Sequence, residues 1–444
     1  MTESTELPTP LAYEPIGSRP AHDFAMSTRL SVMMLLQYAV WGLWMPYLAT
    51  YLGSPIKEGG LGFDPGQIGW ILGTAASVGA VAAPFIAGQV ADRIMNAERA
   101  LAILLLLGGV ANLALARTHA YGAFLVLSVI YSILYMPTLS LTNSICFQNL
   151  GNPEKQFPPI RLWGTIGWIV ASVGFTSIWL STADKVTNTA RIADALTVSG
   201  VLSLIYGAYA FIGLPKTPPK PSSRHPFAFL EAFALLKVPA FLVVTLVALP
   251  IAMIHQVYFI RASLFFQNAI GVEAKNIGWV MGIGQASEIC FLAVLGLILK
   301  KIGYKGVLML GCLAYAARFG IFAIGTPPAV VIGSQVLHGL CYGCFFAGSF
   351  LLVEKIAGPS IRHSAQTVFG IIILGVGPIM ASIYNQLLLG QFDVKDGPTN
   401  YHGVWGVQSA VALLAMLALA VAFHYKPSRD EMTTAAQHHE QRIS

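Results

Sequence analysis

The sequence predicts an all-α membrane protein with twelve transmembrane helices in two six-helix pseudo-repeats, and three observations predict it. Of 444 residues only 10% are charged while 55% are hydrophobic, with a mean hydropathy of +0.67; soluble domains carry about a quarter charged residues. Apolar runs of about 20 residues, the length that crosses a bilayer, recur twelve times. Features of the first six runs return in the last six, in the same order.

Taken along the chain, residues 1–27 are polar and proline-bearing. They lack the charged-then-apolar layout of a cleavable signal and read as a cytoplasmic tail. Runs 29–52, 67–91, 99–117, 120–147, 159–181 and 194–214 build an N-terminal bundle over 28–214. Residues 215–237 set Pro215, Pro218, Pro219 and Pro221 among Lys216, Lys220, Arg224 and Lys237, a basic, proline-rich cytoplasmic linker. Runs 238–266, 277–299, 306–325, 327–353, 362–390 and 402–424 build a C-terminal bundle over 238–425. Residues 426–444 form a second cytoplasmic tail. Pro84, Pro137 and Pro250 fall inside runs and mark candidate kinks.

Orientation follows from charge. With both termini inside, the outer segments hold only Lys57, Arg117, Lys185, Arg191, Lys275 and Lys395, and the inner segments hold most of the other Lys and Arg residues. Cytoplasmic loops carry this excess, so the chain is expected in the inner, cytoplasmic membrane with both termini in the cytoplasm. The net charge of +6 thus reports topology, and nucleic acid is excluded as a partner. Cys146, Cys290, Cys312, Cys341 and Cys344 all lie in apolar runs, so no disulfide framework is implied. The spacing of Cys341 and Cys344 lacks further ligands nearby, and no metal site is expected.

The halves repeat. Ile68-Gly69-Trp70 opens the second run and Ile277-Gly278-Trp279 the eighth. Pro158-Pro159-Ile160-Arg161 begins the fifth and Pro359-Ser360-Ile361-Arg362 the eleventh. Tyr131 and Tyr135 match His338 and Tyr342 in spacing. Six-helix repeats meeting at a midplane site are the architecture of alternating-access carriers.

The stretch around which the chain is organised is 157–168. Its paired prolines suit a helix start, and Arg161, Thr165 and Trp168 then share one face. An arginine inside a bilayer is expensive unless it faces a partner or a cavity; Arg261 and Arg318 are the others within runs. Glu288 is the one acid in the second half's runs away from a helix end, which makes it the candidate proton carrier; the rival reading is a structural ion pair with Arg318 or Arg261. Gln285 lies three residues before it on the same face. Gln37, Trp41 and Trp44 form an amide-and-indole stripe, and His338 with Tyr342 another. Aromatic faces and amides suit a flat base and a ribose, but they suit a sugar as well. Arg161 is also readable as a topology or gate residue, His338 and His255 as core histidines, and Arg318 as a helix anchor.

The junction Gly88-Gln-Val-Ala-Asp92-Arg93 resembles the signature of the major facilitator superfamily. There Asp92 pairs with Arg93 or another inner-loop cation to lock one conformation, and Gly88 lets helices approach, so these three are the candidate gate. The loop after the eighth run, at Lys300-Lys301, has lost the acid. More specifically, several segments resemble the bacterial nucleoside:proton symporter family of that superfamily. They are Phe157-Pro-Pro-Ile-Arg-Leu-Trp-Gly-Thr-Ile-Gly167, Tyr135-Met-Pro-Thr-Leu-Ser-Leu-Thr-Asn143, Gln37-x-x-x-Trp41-Gly-x-Trp44, Gln285-Ala-Ser-Glu288, Arg318-Phe319 and Val353-Glu-Lys355 with Ile361-Arg-x-Ser-Ala-Gln366. The resemblance implies nucleoside uptake driven by the proton gradient, with no other cofactor. It implies site positions at Arg161, Thr165, Trp168, Gln256, Gln285, Glu288, His338 and Tyr342, beside Gln37 and Trp41. Two positions depart from the family. Phe259 replaces an amide one turn after Gln256, and Gly343 replaces an acid after Tyr342.

Nucleosides, protons and the lipid bilayer are therefore the expected partners, with the chain acting as a monomer. The alternatives are a sugar or oligosaccharide:proton symporter of the same fold, an uncoupled nucleoside uniporter, and a sensor that binds without moving solute. No HExxH, GxSxG or His-rich tract supports an enzyme, so no catalytic residue is assigned. No GxxxxGK[ST] loop supports ATP-driven transport.

Overall fold

Apolar runs become helices because a bilayer offers the backbone no partner but itself. The structure, a computed structural model, describes residues 24–180, 184–219, 235–393 and 399–424. The side chains of 87–93, 153, 154, 185 and 358–364 lie outside the description. The expected gate at Gly88, Asp92 and Arg93 therefore lies outside the described residues, as do both tails and most of the linker.

The first half comprises α1 (Phe24–Gly42), α2 (Leu48–Gly53), α3 (Pro65–Gly69), a π turn (Trp70–Ala75), α4 (Ala76–Arg93), α5 (Ala97–Leu115), α6 (Tyr121–Asn149), α7 (Pro153–Trp179), α8 (Lys185–Arg191) and α9 (Ala193–Ile212). The second comprises α10 (Pro239–Asn268), α11 (Ala274–Ile324), α12 (Pro328–Gly333), α13 (Leu337–Leu340), a π turn (Cys341–Ala347), α14 (Gly348–Ile371), a third π turn (Ile372–Val376), α15 (Gly377–Phe392) and α16 (Tyr401–Ala422). Among the described residues, 10 helices are long and apolar enough to cross a membrane. That number falls short of the expected twelve for two visible reasons. α11 has 51 residues, about 76 Å at 1.5 Å per residue, and breaks at Gly303, whose φ of 67° is open to glycine and not to ordinary side chains. The expected first span is interrupted after Gly42, so α1 and α2 are separate pieces.

Local chemistry sets the ends. Asp64 accepts from Gln67 N while Gln67 Oε1 takes the Asp64 N–H, closing a capping box ahead of Pro65. α7 begins earlier than the paired prolines suggest. Asn152 caps it by accepting from Lys155 N at 3.2 Å, Pro153 takes the first position, and Pro158 and Pro159 lie inside the helix. Arg161, Thr165 and Trp168 keep their common face, because that spacing does not depend on where the helix starts.

Helices of each half pack mainly on one another, α1 on α7 and α5 on α9 in the first, α11 on α16 and α10 on α15 in the second. The repeated Ile-Gly-Trp triplets have one structural role in both halves. A Cβ on Gly69 would lie 2.6 Å from Asn385 Nδ2, and one on Gly278 would lie 2.6 Å from Thr176 Oγ1. Each glycine is therefore where its half touches the other. Hydrogen bonds crossing between halves gather at the end of the bundle bearing loop 54–64: Asn385 Nδ2 to Pro65 O at 2.8 Å, Ser382 Oγ to Gly69 O at 2.8 Å, and Trp279 Nε1 to Ser177 Oγ at 2.9 Å. That end is closed.

Candidate functional site

Arg161 and Glu288 face one another across the two halves. Glu288 stands on α11 and Arg161 on α7, and the guanidinium is the charge that acts on the carboxylate. They form no ion pair, and neither has another such partner among the described residues. Arg161 instead lies over the ring of Tyr38 from α1, its Cζ 4.1 Å from the centroid. Tyr38 and Tyr342 each interact electrostatically with both Arg161 and Glu288. One cation, one carboxylate and two phenols thus converge from α1, α7, α11 and the Cys341–Ala347 π turn. Gln285, one turn from Glu288, and Thr165, one turn from Arg161, are half-buried on the same faces.

Close helix approach builds this arrangement. A Cβ on Gly42 would stand 2.6 Å from Trp168 O, and one on Gly167 would stand 2.2 Å from Leu35 O. Small residues at such a crossing let backbones meet. Trp168, 5% exposed, is consequently wedged in the α1–α7 seam. Gln37 is turned to α6: its Nε2 donates to Thr138 Oγ1 at 2.7 Å, its carbonyl accepts from Tyr135 OH at 2.5 Å, and its Oε1 is left buried without a partner. Trp41 is half-buried, with its ring 6.4 Å from Tyr38.

Gln256 does something the sequence did not suggest. Its Nε2 donates to Leu72 O at 2.7 Å, across the halves and into the first π turn. A π turn shifts the backbone pairing by a residue and so frees a carbonyl for an outside donor.

Behind the site the second half holds a buried polar cluster. Arg318, 0% exposed, donates through Nε to Gln335 Oε1 at 3.1 Å and through Nη1 to His338 Nδ1 at 2.9 Å, with Cζ 4.0 Å above the Tyr258 ring. A guanidinium only donates, so His338 accepts at Nδ1 and its proton sits on Nε2. His255 stacks on His338 with centroids 5.6 Å apart and its Nδ1 meets Tyr315 OH at 2.7 Å. Arg261 is held by Asn385 Oδ1 at 2.6 Å and Asp393 Oδ2 at 3.0 Å. Neither arginine pairs with Glu288, which removes the rival reading of that acid.

Residues 24–428 match the family described as nucleoside H+ symporter. The chain belongs to that family. The chain is also similar to proteins of Escherichia coli (strain K12). It is 31% identical to the putative nucleoside transporter YegT over 92% of this chain and 95% of that one. It is 29% identical to xanthosine permease over 94% of this chain and 100% of that one. The solved structure of nucleoside transporter NupG superposes with a TM-score of 0.78 at 26% identity, covering 90% of this chain and 100% of that one. Fold and family are those of a multi-pass membrane transporter rather than an enzyme.

Two positions were expected from the resemblance to depart from the family pattern, Phe259 and Gly343. The Phe259 ring stands nearly perpendicular to His255 and His338, with centroids 5.1 and 6.3 Å apart, a ring where an amide was expected. Gly343 lies within the second π turn, and a Cβ there would meet nothing nearer than Phe291 Cβ at 3.6 Å. The sequence did not single out Tyr38 at this convergence, nor Leu72 as the acceptor of Gln256. The signal for Tyr38 was available, since it adjoins Gln37 and precedes Trp41 by three residues; Leu72 contributes only a carbonyl, which every residue has.

Proposed function

We propose that this chain imports nucleosides with protons by alternating access, as a monomer of twelve spans in the inner membrane with both termini cytoplasmic. The observation that carries the reading is Arg161 facing Glu288 across the halves without an ion pair. A carboxylate so placed accepts a proton when the cavity is open to one side and yields it when the halves rock and its distance to Arg161 changes. Tyr342 and Trp41 offer faces for a base, and Gln285, Thr165 and the Nε2–H of His338 offer hydrogen bonds to base and ribose. In this orientation the closed end is the outer one, so the molecule stands with its outer gate shut.

The test is uptake of radiolabelled uridine and adenosine into proteoliposomes under an inward proton gradient, with and without a protonophore, and lactose as control solute. The expected result is nucleoside accumulation that collapses with the protonophore. Equilibration without accumulation means an uncoupled carrier, and lactose accumulation in place of nucleoside overturns the substrate.

A further inference from the structure

Gly164 is a notch in α7. A Cβ there would lie 2.6 Å from Tyr38 Cδ2 and 2.8 Å from Arg161 Nη1, so only a glycine lets the ring and the guanidinium stack on that surface. Cation–π contact of this kind is directional. It fixes a long, flexible side chain on α7 while leaving it short of an ion pair with Glu288.

That separation matters chemically. A cation drawn into direct contact favours the ionised form of a carboxylate more strongly than one held off it, and a carboxylate held ionised takes up a proton less readily. We propose that Tyr38 is a positioning residue for proton coupling: its ring holds Arg161 back from Glu288, and so sets the pH range over which Glu288 takes up its proton. The proposal rests on the symport reading above. Glu288 is faced by Arg161 from α7, Tyr38 from α1 and Tyr342 from the second π turn. From α13, His338 packs over Gly284 one turn away, but its Nδ1 is occupied by Arg318. Arg161 is the one of these whose freedom depends on Tyr38.

The sign follows. Without the ring, Arg161 reaches Glu288 and favours its charged form, so a more acidic exterior is needed to load the proton. The experiment measures initial nucleoside uptake against external pH for the full chain in proteoliposomes, for the wild type, Tyr38→Phe, Tyr38→Leu and Tyr38→Met. Two ringless variants are used so that one failing to fold leaves the other readable. Expected is a midpoint about one pH unit lower for Tyr38→Leu and Tyr38→Met, with Tyr38→Phe close to wild type because the ring is kept. Adding Arg161→Gln to Tyr38→Leu should leave no further shift relative to Arg161→Gln alone. A ringless variant that is slower at every pH with an unmoved midpoint makes Tyr38 a packing residue and overturns the proposal. A wild type that shows no proton-driven accumulation overturns the symport reading instead, whatever the variants do.

Discussion

The Gln256 side chain bonds the Leu72 backbone carbonyl at 2.7 Å, joining the second half of the molecule to a π turn in the first. Together with Ser382 on Gly69 and Asn385 on Pro65 it forms a ladder up one face of α3 and its π turn. The acceptors are spaced i, i+4 and i+7, so the ladder runs straight. All three are carbonyls, and the glycines at 69 and 73 leave room for the Asn385 and Ser382 donors. Gln256 is its innermost rung.

Removing that rung should loosen the outer gate. A net hydrogen bond contributes about 1 kcal/mol, roughly a fivefold change in an equilibrium. Gln256→Ala should therefore raise the rate at which an outside maleimide labels a cysteine placed at Leu264, in a background without the native cysteines, by about fivefold. An unchanged labelling rate would mean the gate is held elsewhere.

Glu288→Gln keeps the shape of the side chain and removes its proton exchange. Accumulation against a gradient should disappear while nucleoside exchange across the membrane, assayed by counterflow, persists. Accumulation at the wild-type level would show that the proton travels on another group.

Gly343→Asp restores an acid where the family resemblance implies one. The nearest neighbour of a Cβ there is at ordinary contact distance, 3.6 Å, so the variant should fold as the wild type does. If that position takes part in coupling, the number of protons carried per nucleoside should rise, read from the reversal potential of transport. A folded variant with unchanged stoichiometry would make the loss of the acid at this position irrelevant to coupling.

The α1–α7 crossing should tolerate no added atoms. Gly167→Ala places a Cβ 2.2 Å from Leu35 O, and the helices must move apart. Overpacking of this kind costs about 1–3 kcal/mol and should lower the detergent melting temperature by several degrees. Gly174→Ala on the same helix meets nothing within 4 Å and should melt with the wild type. Equal melting of the two variants would refute the close crossing.

Much of this molecule was legible before any coordinates. The apolar runs gave the helices, and the repeated Ile-Gly-Trp triplets marked two glycines that sit at close helix contacts. Arg161, Glu288 and Tyr342 were named from sequence and do converge. Other expectations were displaced for physical reasons. Trp168 and Gln37 share the right helix faces, but close crossing on glycine draws the tryptophan into the α1–α7 seam, and Thr138 and Tyr135 turn the glutamine to α6. The helix start at the paired prolines gave way to Asn152, whose side chain satisfies an orphan N–H that a proline merely lacks.

By itself the sequence determined that the chain crosses a membrane in helices and belongs with nucleoside symporters. Tertiary structure alone decided which polar groups meet: Tyr38 under Arg161, Gln256 on Leu72, Arg318 on His338. In a soluble protein the apolar stripe of a helix reveals which face turns inward. Lipid is as apolar as a helix partner, so here both faces read alike. The pairing of faces is then settled by where glycines let backbones approach and where π turns leave carbonyls free, and neither is visible until the helices are packed.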